Sequence, residues 1–200
     1  MIRLQALVAQ ARLASPLGSL TAAATAHGLA GLWFDGQKHH PGRLDAPVDP
    51  GQRWIALVAE ELDAYWRGRV PARFAVALDL HGTPFQRQVW SALLDLPPGH
   101  TCSYGELARR AGLAGAVRAV GAAVGRNPAS IVVPCHRVRG ADGSLTGYAG
   151  GLERKRALLA LEADATTAPP AGSGGAGSSA GARADSRAGV PPTRFGPSIA

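Results

Sequence analysis

The chain has 200 residues, 46% of them hydrophobic, and a formal net charge of +7. That length allows one or two domains of roughly 100–200 residues each, with a real core. The positive balance favours an anionic partner such as nucleic acid or a membrane surface, with an arginine-rich composition lacking any such partner as the competing reading. Two cysteines cannot build a disulfide framework, and without a CxxC pair they argue against a cysteine-based zinc site.

The opening stretch MIRLQALVAQARLAS is broken by Gln5, Gln10 and Arg12, so it does not read as a signal peptide. No apolar run approaches the roughly 20 residues of a membrane span. A cytoplasmic protein is expected. Charge is uneven along the chain. Residues 1–84 carry a net +1, whereas residues 85–162, with ten Lys/Arg against five Asp/Glu, carry +5.

In chain order, turn signals at Ser15–Gly18, His27–Gly28 and Asp35–Gly36 separate short apolar runs and predict hairpins. The segment DPGQRWIALVAEELDAYWRG predicts a helix. Asp49 is the expected cap, Pro50 suits the first turn, and Trp54, Ile55, Val58, Leu62 and Tyr65 form one stripe. RFAVALDL alternates Phe74, Val76, Leu78 and Leu80 as a half-buried strand does. Residues 1–82 therefore read as a small α/β domain, with no catalytic constellation of their own.

The texture changes at Thr83. TPFQRQVWSALL opens with a Thr83–Gln86 capping box and Pro84 at the first helical position. SYGELARRAG opens with a second box, Ser103–Glu106, and closes at Gly112. AVRAVGAAVGRNP resumes a helix of small residues that stops at Asn127–Pro128. Two short helices joined by a brief turn make a helix-turn-helix pattern. GGLERKRALLALE predicts an amphipathic helix with Leu152, Leu158 and Leu159 near one side and a basic cluster on the other. Residues 83–162 form the second domain. Residues 163–200, rich in Ala, Gly, Ser and Pro, cannot bury enough surface to offset their ordering entropy and are expected to be a disordered tail.

The stretch SIVVPCHRV is the candidate reactive site. Ile131–Val133 reads as a short buried strand, and Pro134 ends any ladder just before Cys135. A reactive cysteine needs its thiolate, favoured by a nearby base or positive field. His136 is adjacent, but in an extended segment the two side chains point apart. Contact would need a bridging water or a turn-like backbone. Glu162 is a candidate to orient the imidazole. A buried structural cysteine is the competing reading.

Six segments, TPFQRQVW, SYGELA, AVRAVGAAVGRNP, IVVPCHRV, GSLTGYAGG and LERKRALLALE, resemble in order the O6-alkylguanine-DNA alkyltransferases, or methylated-DNA–protein-cysteine methyltransferases. SPLGSL near the start is similar to that family's N-terminal domain. The resemblance implies a ribonuclease-H-like N-terminal α/β domain and a mainly helical, winged-helix-like DNA-binding domain. It implies that Cys135 accepts the alkyl group, that His136 relays its proton through a water, and that Glu162 orients His136. Asn127 would hold the turn before the cysteine. Tyr104 would donate a proton toward the leaving guanine and press on the target phosphate. Val138 and Ala149, near Tyr148, would offer backbone groups to the base edge. Arg118, on a helix of small residues that include Ala119, would fill the space of a nucleotide flipped from the duplex.

The implied partner is double-stranded DNA containing O6-alkylguanine, with O4-alkylthymine left open, bound by a monomer through the minor groove. No cofactor and no metal are expected: the cysteines that hold zinc in some family members are missing here, and His39 and His40 read as loop residues. Three alternatives compete. They are a lesion-binding protein without transfer, a Cys–His hydrolase, and a basic transcriptional regulator with a structural cysteine.

Overall fold

In a computed structural model, which describes residues 7–167 and the backbone of 194–195, tight turns fold the N-terminal segment into an antiparallel sheet. Its strands are Ala9–Leu13 (β1), Leu20–Ala24 (β2) and Leu29–Phe34 (β3), in the order β1-β2-β3. The Gly18 N–H donates to Ser15 O at 3.1 Å, and the Thr25 N–H to Gly28 O at 3.0 Å, closing the two hairpins at the expected turns.

Helix α1 (Arg53–Trp66) buries Ile55, Val58, Leu62 and Tyr65 against this sheet, four of the five stripe residues read from the sequence, while Trp54 is only half-buried. Burying each such side chain stabilises the fold by about 1.5–3 kcal/mol. Its cap is Gln52 rather than Asp49: Gln52 Oε1 accepts from the Trp54 and Ile55 N–H groups at 2.8 and 3.2 Å. Asp49 instead closes the preceding turn, accepting from the Gly51 N–H at 3.0 Å. Pro50 therefore lies before the helix.

The segment 74–80 keeps its alternation at Phe74, Val76 and Leu78, which are buried, but only Asp79–Leu80 (β4) is a strand. Glu61 of α1 accepts from the Ala75 and Val76 N–H groups. Donors that a ladder would use are thereby taken by a carboxylate.

Both predicted capping boxes form. Thr83 and Gln86 start α2 (Pro84–Leu94), and Ser103 and Glu106 start α3 (Tyr104–Arg110). Each cap contributes about 0.5–2 kcal/mol. Gly112, at φ +68°, lets the chain leave α3 toward α4 (Val117–Gly125). Helices α2, α3 and α4 pack together, and the buried Trp90 of α2 donates its indole N–H to Ala123 O of α4 at 2.9 Å.

Two short pairings position the cysteine segment. The edge of β3 accepts it: the Leu32 N–H donates to Pro128 O, and the Ser130 N–H to Leu32 O, each at 2.8 Å. Beyond it, Val138–Arg139 (β6) runs parallel to Cys102–Ser103 (β5), which leads into α3. The cysteine segment is thus clamped between the N-terminal sheet and the helices. One apolar cluster runs through both halves, from Leu20 and Tyr65 to Val89, Val133 and Leu158.

The last helix, α5 (Leu152–Thr167), continues past residue 162, so residues 163–167 are helical and not part of a tail. Its amphipathic expectation also needs correction. Leu152 is exposed, whereas Lys155, from the expected basic face, is buried with Leu158 and Glu162. Arg194–Phe195 (β7) runs parallel to β4, and the remaining expected tail, 168–193 and 196–200, lies outside the described residues.

Candidate active site

Asn127 follows the end of α4 and organises the loop after it. Its Oδ1 accepts from the Ala129 N–H at 3.0 Å, and its Nδ2 donates to Val133 O at 2.8 Å and to Cys135 Sγ at 3.0 Å. Ile131–Val133 is a turn, not the strand expected. Ile131 sits at φ +73°, a conformation that costs a β-branched residue on the order of 1–3 kcal/mol. The β3 edge and the Asn127 amide hold it there.

After Pro134, Cys135–Arg137 form a single 3-10 turn. A turn-like backbone is one of the two arrangements under which Cys135 and His136 could communicate, a bridging water the other. His136 Nε2 lies 2.8 Å from Glu162 Oε1, and both side chains are fully buried. His136 Nδ1 is buried with no hydrogen-bond partner. An Nε2–H held by the carboxylate leaves Nδ1 as the acceptor.

Arg137 grips the same carboxylate with two bonds, Nε to Oε2 at 2.8 Å and Nη2 to Oε1 at 2.7 Å, and also donates to Leu96 O. Tyr65 OH donates to Glu162 Oε1 at 3.0 Å. Burial alone would raise the Glu162 pKa, but the hydrogen bonds and charges of His136 and Arg137 outweigh it and hold the carboxyl at about 2. Burial lowers the His136 pKa; Glu162 opposes this, while the positive charges of Arg137 and Lys155 add to it. The imidazole is therefore neutral and able to take a proton.

Burial raises the Cys135 pKa, so the resting sulfur is a thiol. The Asn127 hydrogen bond, the Lys155 charge and the backbone N–H groups of Cys135 and His136 pull the other way. Lys155 Nζ donates to Val138 O and, at 2.6 Å, to Thr146 O. Burial brings it from the usual lysine range to about 8, so it remains largely charged at neutral pH.

A pocket of about 490 Å³ has Tyr104, Arg118, Gly121, Gly147, Tyr148 and Ala149 among its walls. Tyr104 and Tyr148 lie close enough to Cys135 for a negative sulfur to act on both: burial, then that charge, raises the Tyr148 pKa well above the ordinary value. Tyr104 OH donates to Gly147 O at 3.2 Å. A Cβ on Gly147 would stand 2.6 Å from that hydroxyl, and its φ is +56°, so glycine is required there. Arg118 and Ala119 are exposed on α4, but Ala119 does not line the pocket. The Val138 N–H is used by Cys135 O, and its carbonyl already accepts from Lys155.

Over 148 residues the chain is 51% identical to the methylated-DNA–protein-cysteine methyltransferase of Mycobacterium bovis, a match covering 74% of this chain and 88% of that one. The chain belongs to the methylated-DNA–protein-cysteine methyltransferase family. The family resemblance read from the sequence is thereby established. A relative of the same name from Methanosarcina barkeri is 43% identical over 151 residues, covering 74% and 92% of the two chains. The solved structure of Mycobacterium tuberculosis OGT in complex with DNA superposes with a TM-score of 0.73 at 47% identity, covering 79% of this chain and 94% of that one. Residues 84–164 match the family model of the 6-O-methylguanine DNA methyltransferase DNA binding domain.

For a methyltransferase of this family, the sequence reading missed three groups in the buried network: Arg137, Lys155 and Tyr65. Lys155 had a signal. It lies seven residues before Glu162, two turns along one helix face, so a buried Glu162 puts Lys155 on the buried side. Arg137 and Tyr65 had none beyond adjacency to His136 and a place in an apolar stripe. Among the described residues no helix is long and apolar enough to cross a membrane, and no three His, Cys, Asp or Glu side chains cluster to hold a metal ion.

Proposed function

We propose that this protein repairs DNA by moving an alkyl group from O6 of guanine onto Cys135, once per molecule. The carrying observation is Cys135 Sγ, held by Asn127 Nδ2 at 3.0 Å and close enough to Tyr104 and Tyr148, two walls of the pocket, for its charge to act on both.

The target atom lies inside the base stack, so the nucleotide must be extruded, at a cost of a few kcal/mol. Arg118 enters the duplex from the exposed face of α4 and fills the gap. Ala119 and the small residues around it allow close approach to the minor groove. The flipped base enters the pocket between Tyr148 and the Ala149 backbone, with the second lone pair of the Val138 carbonyl toward its edge.

His136 Nδ1 then takes the Cys135 proton through a water, while Glu162 holds the Nε2–H. Charge developing on sulfur is stabilised by the Asn127 N–H and by Lys155. The sulfur attacks the alkyl carbon, the S–C bond forms, and the C–O bond breaks with its electrons passing to guanine. Tyr104 supplies a proton to the leaving base and presses on the target phosphate. The product is a thioether. Water has no acyl carbon to attack, so the sulfur is not regenerated.

The sheet with α1 across it supports reading residues 1–82 as a ribonuclease-H-like unit. The α3–α4 pair supports a winged-helix-like DNA-binding unit from residue 83 to the end of α5. The relatives' names favour neither a hydrolase nor a binding protein without transfer.

Stoichiometry tests this reading. With an excess of O6-methylguanine duplex, repair should stop at one methyl per protein. Continued turnover would contradict it.

A further inference from the structure

Helix α1 buries three aliphatic side chains, Ile55, Val58 and Leu62, and then a tyrosine. The Tyr65 ring packs against Trp66 and Phe74, with centroids 5.1 and 5.8 Å away. A phenylalanine would fill that space equally well. The hydroxyl adds something else: it crosses from the N-terminal unit to Glu162 Oε1, the same oxygen that faces His136 Nε2.

We infer that Tyr65 is a positioning residue for the proton relay, fixing the Glu162 oxygen that receives the His136 Nε2–H. The inference rests on the relay proposed above. Glu162 Oε1 has three partners, His136 Nε2, Arg137 Nη2 and Tyr65 OH, while Oε2 has the Arg137 Nε–H. Each further donor spreads the carboxylate charge and weakens its hold on an imidazolium. Tyr65 is itself a permanent donor, since burial and then the Glu162 charge push its pKa far above the ordinary tyrosine value. The charged and titratable groups around His136 are Glu162 and Lys155 from α5, Arg137 and Cys135 from its own turn, and Tyr65 from α1. Of these, Tyr65 is the neutral donor contributed by the other half of the molecule.

Removing the hydroxyl leaves Oε1 a stronger acceptor. It then stabilises protonated His136, which cannot act as a base. The sign follows: the acid-side midpoint of the rate profile moves to higher pH.

The test compares wild type with Tyr65→Phe in single-turnover methyl transfer from an O6-methylguanine duplex, across pH. The midpoint should rise by about half to one pH unit, so that the rate well below the wild-type midpoint falls by roughly three- to tenfold while that well above it stays within about twofold. An unchanged profile, or the same loss at every pH, would reduce Tyr65 to a packing residue and overturn the inference. As a second measurement, nitrogen NMR of the His136 ring, without DNA, should show its titration moved upward in Tyr65→Phe. A fixed titration overturns the inference even if transfer is slow. Absence of transfer in the wild type would instead strike the functional proposal, with the NMR comparison still deciding the role of Tyr65.

Discussion

Arg118 and Ala119 stand exposed on α4, whereas Cys135, His136, Arg137, Lys155 and Glu162 are each at most 4% exposed. The first region has no polar partner for its guanidinium among the described residues. In the second, the Glu162 carboxylate alone is bound by His136, Arg137 and Tyr65. On the proposed reading the α4 face meets DNA, so substitutions there should alter binding and leave folding alone. In the buried network, stability and reactivity share the same bonds and should fail together.

The sharpest break between the two is Cys135→Ala. It should abolish transfer completely while leaving affinity for duplex DNA within about twofold, because phosphate contacts dominate that affinity. Electrophoretic shift assays beside a repair assay check both halves.

Next comes Glu162→Gln, which leaves the Arg137 guanidinium buried without its counter-charge. Breaking such a pair costs about 3–5 kcal/mol, measurable by urea unfolding. The pH dependence has a definite sign. The folded value of about 2 lies below the ordinary 4.5, so ionised Glu162 stabilises the protein above pH 4.5. That stabilisation is lost as pH falls from 4.5 through about 2, and the variant should lack this acid transition.

Lys155→Met removes the ammonium that favours a negative sulfur and leaves Val138 O and Thr146 O without their donor. Transfer at pH 7 should slow by roughly tenfold, as one pKa unit of lost thiolate requires. Rapid-quench kinetics would show it.

Arg118→Ala should have the smallest effect on the fold, within about 0.5 kcal/mol. Its effect should fall on substrate form: slower repair of duplex DNA, unchanged reaction with the free modified base. Equal losses on both substrates would remove Arg118 from base extrusion.

The same contrast explains what the sequence made legible. Most signals completed within four residues survived folding: the Thr83–Gln86 and Ser103–Glu106 boxes and the Ser15–Gly18 turn each form as read. Asp49 lost its cap role to Gln52 because two local acceptors competed three residues apart. Ile131–Val133 reads as a strand by composition, yet Asn127 and the β3 edge bend it into a turn. Lys155 reads as surface because its partners, the carbonyls of Val138 and Thr146, come from a distant loop. The motif residues of the site were accessible through family resemblance. Of the groups that tune them, Lys155 carried only its helical phase with Glu162 as a signal, and the long-range pairings of Arg137 and Tyr65 write no local pattern.

Wild-type protein should be mixed with an O6-methylguanine duplex, digested with trypsin, and its peptides weighed. Cys135 falls in the peptide 127–137 and Cys102 in the separate peptide 88–109. The account predicts one added methyl group on the first peptide, at Cys135, and none on the second. An unmodified Cys135 after complete repair, or a methyl group on Cys102, would contradict it.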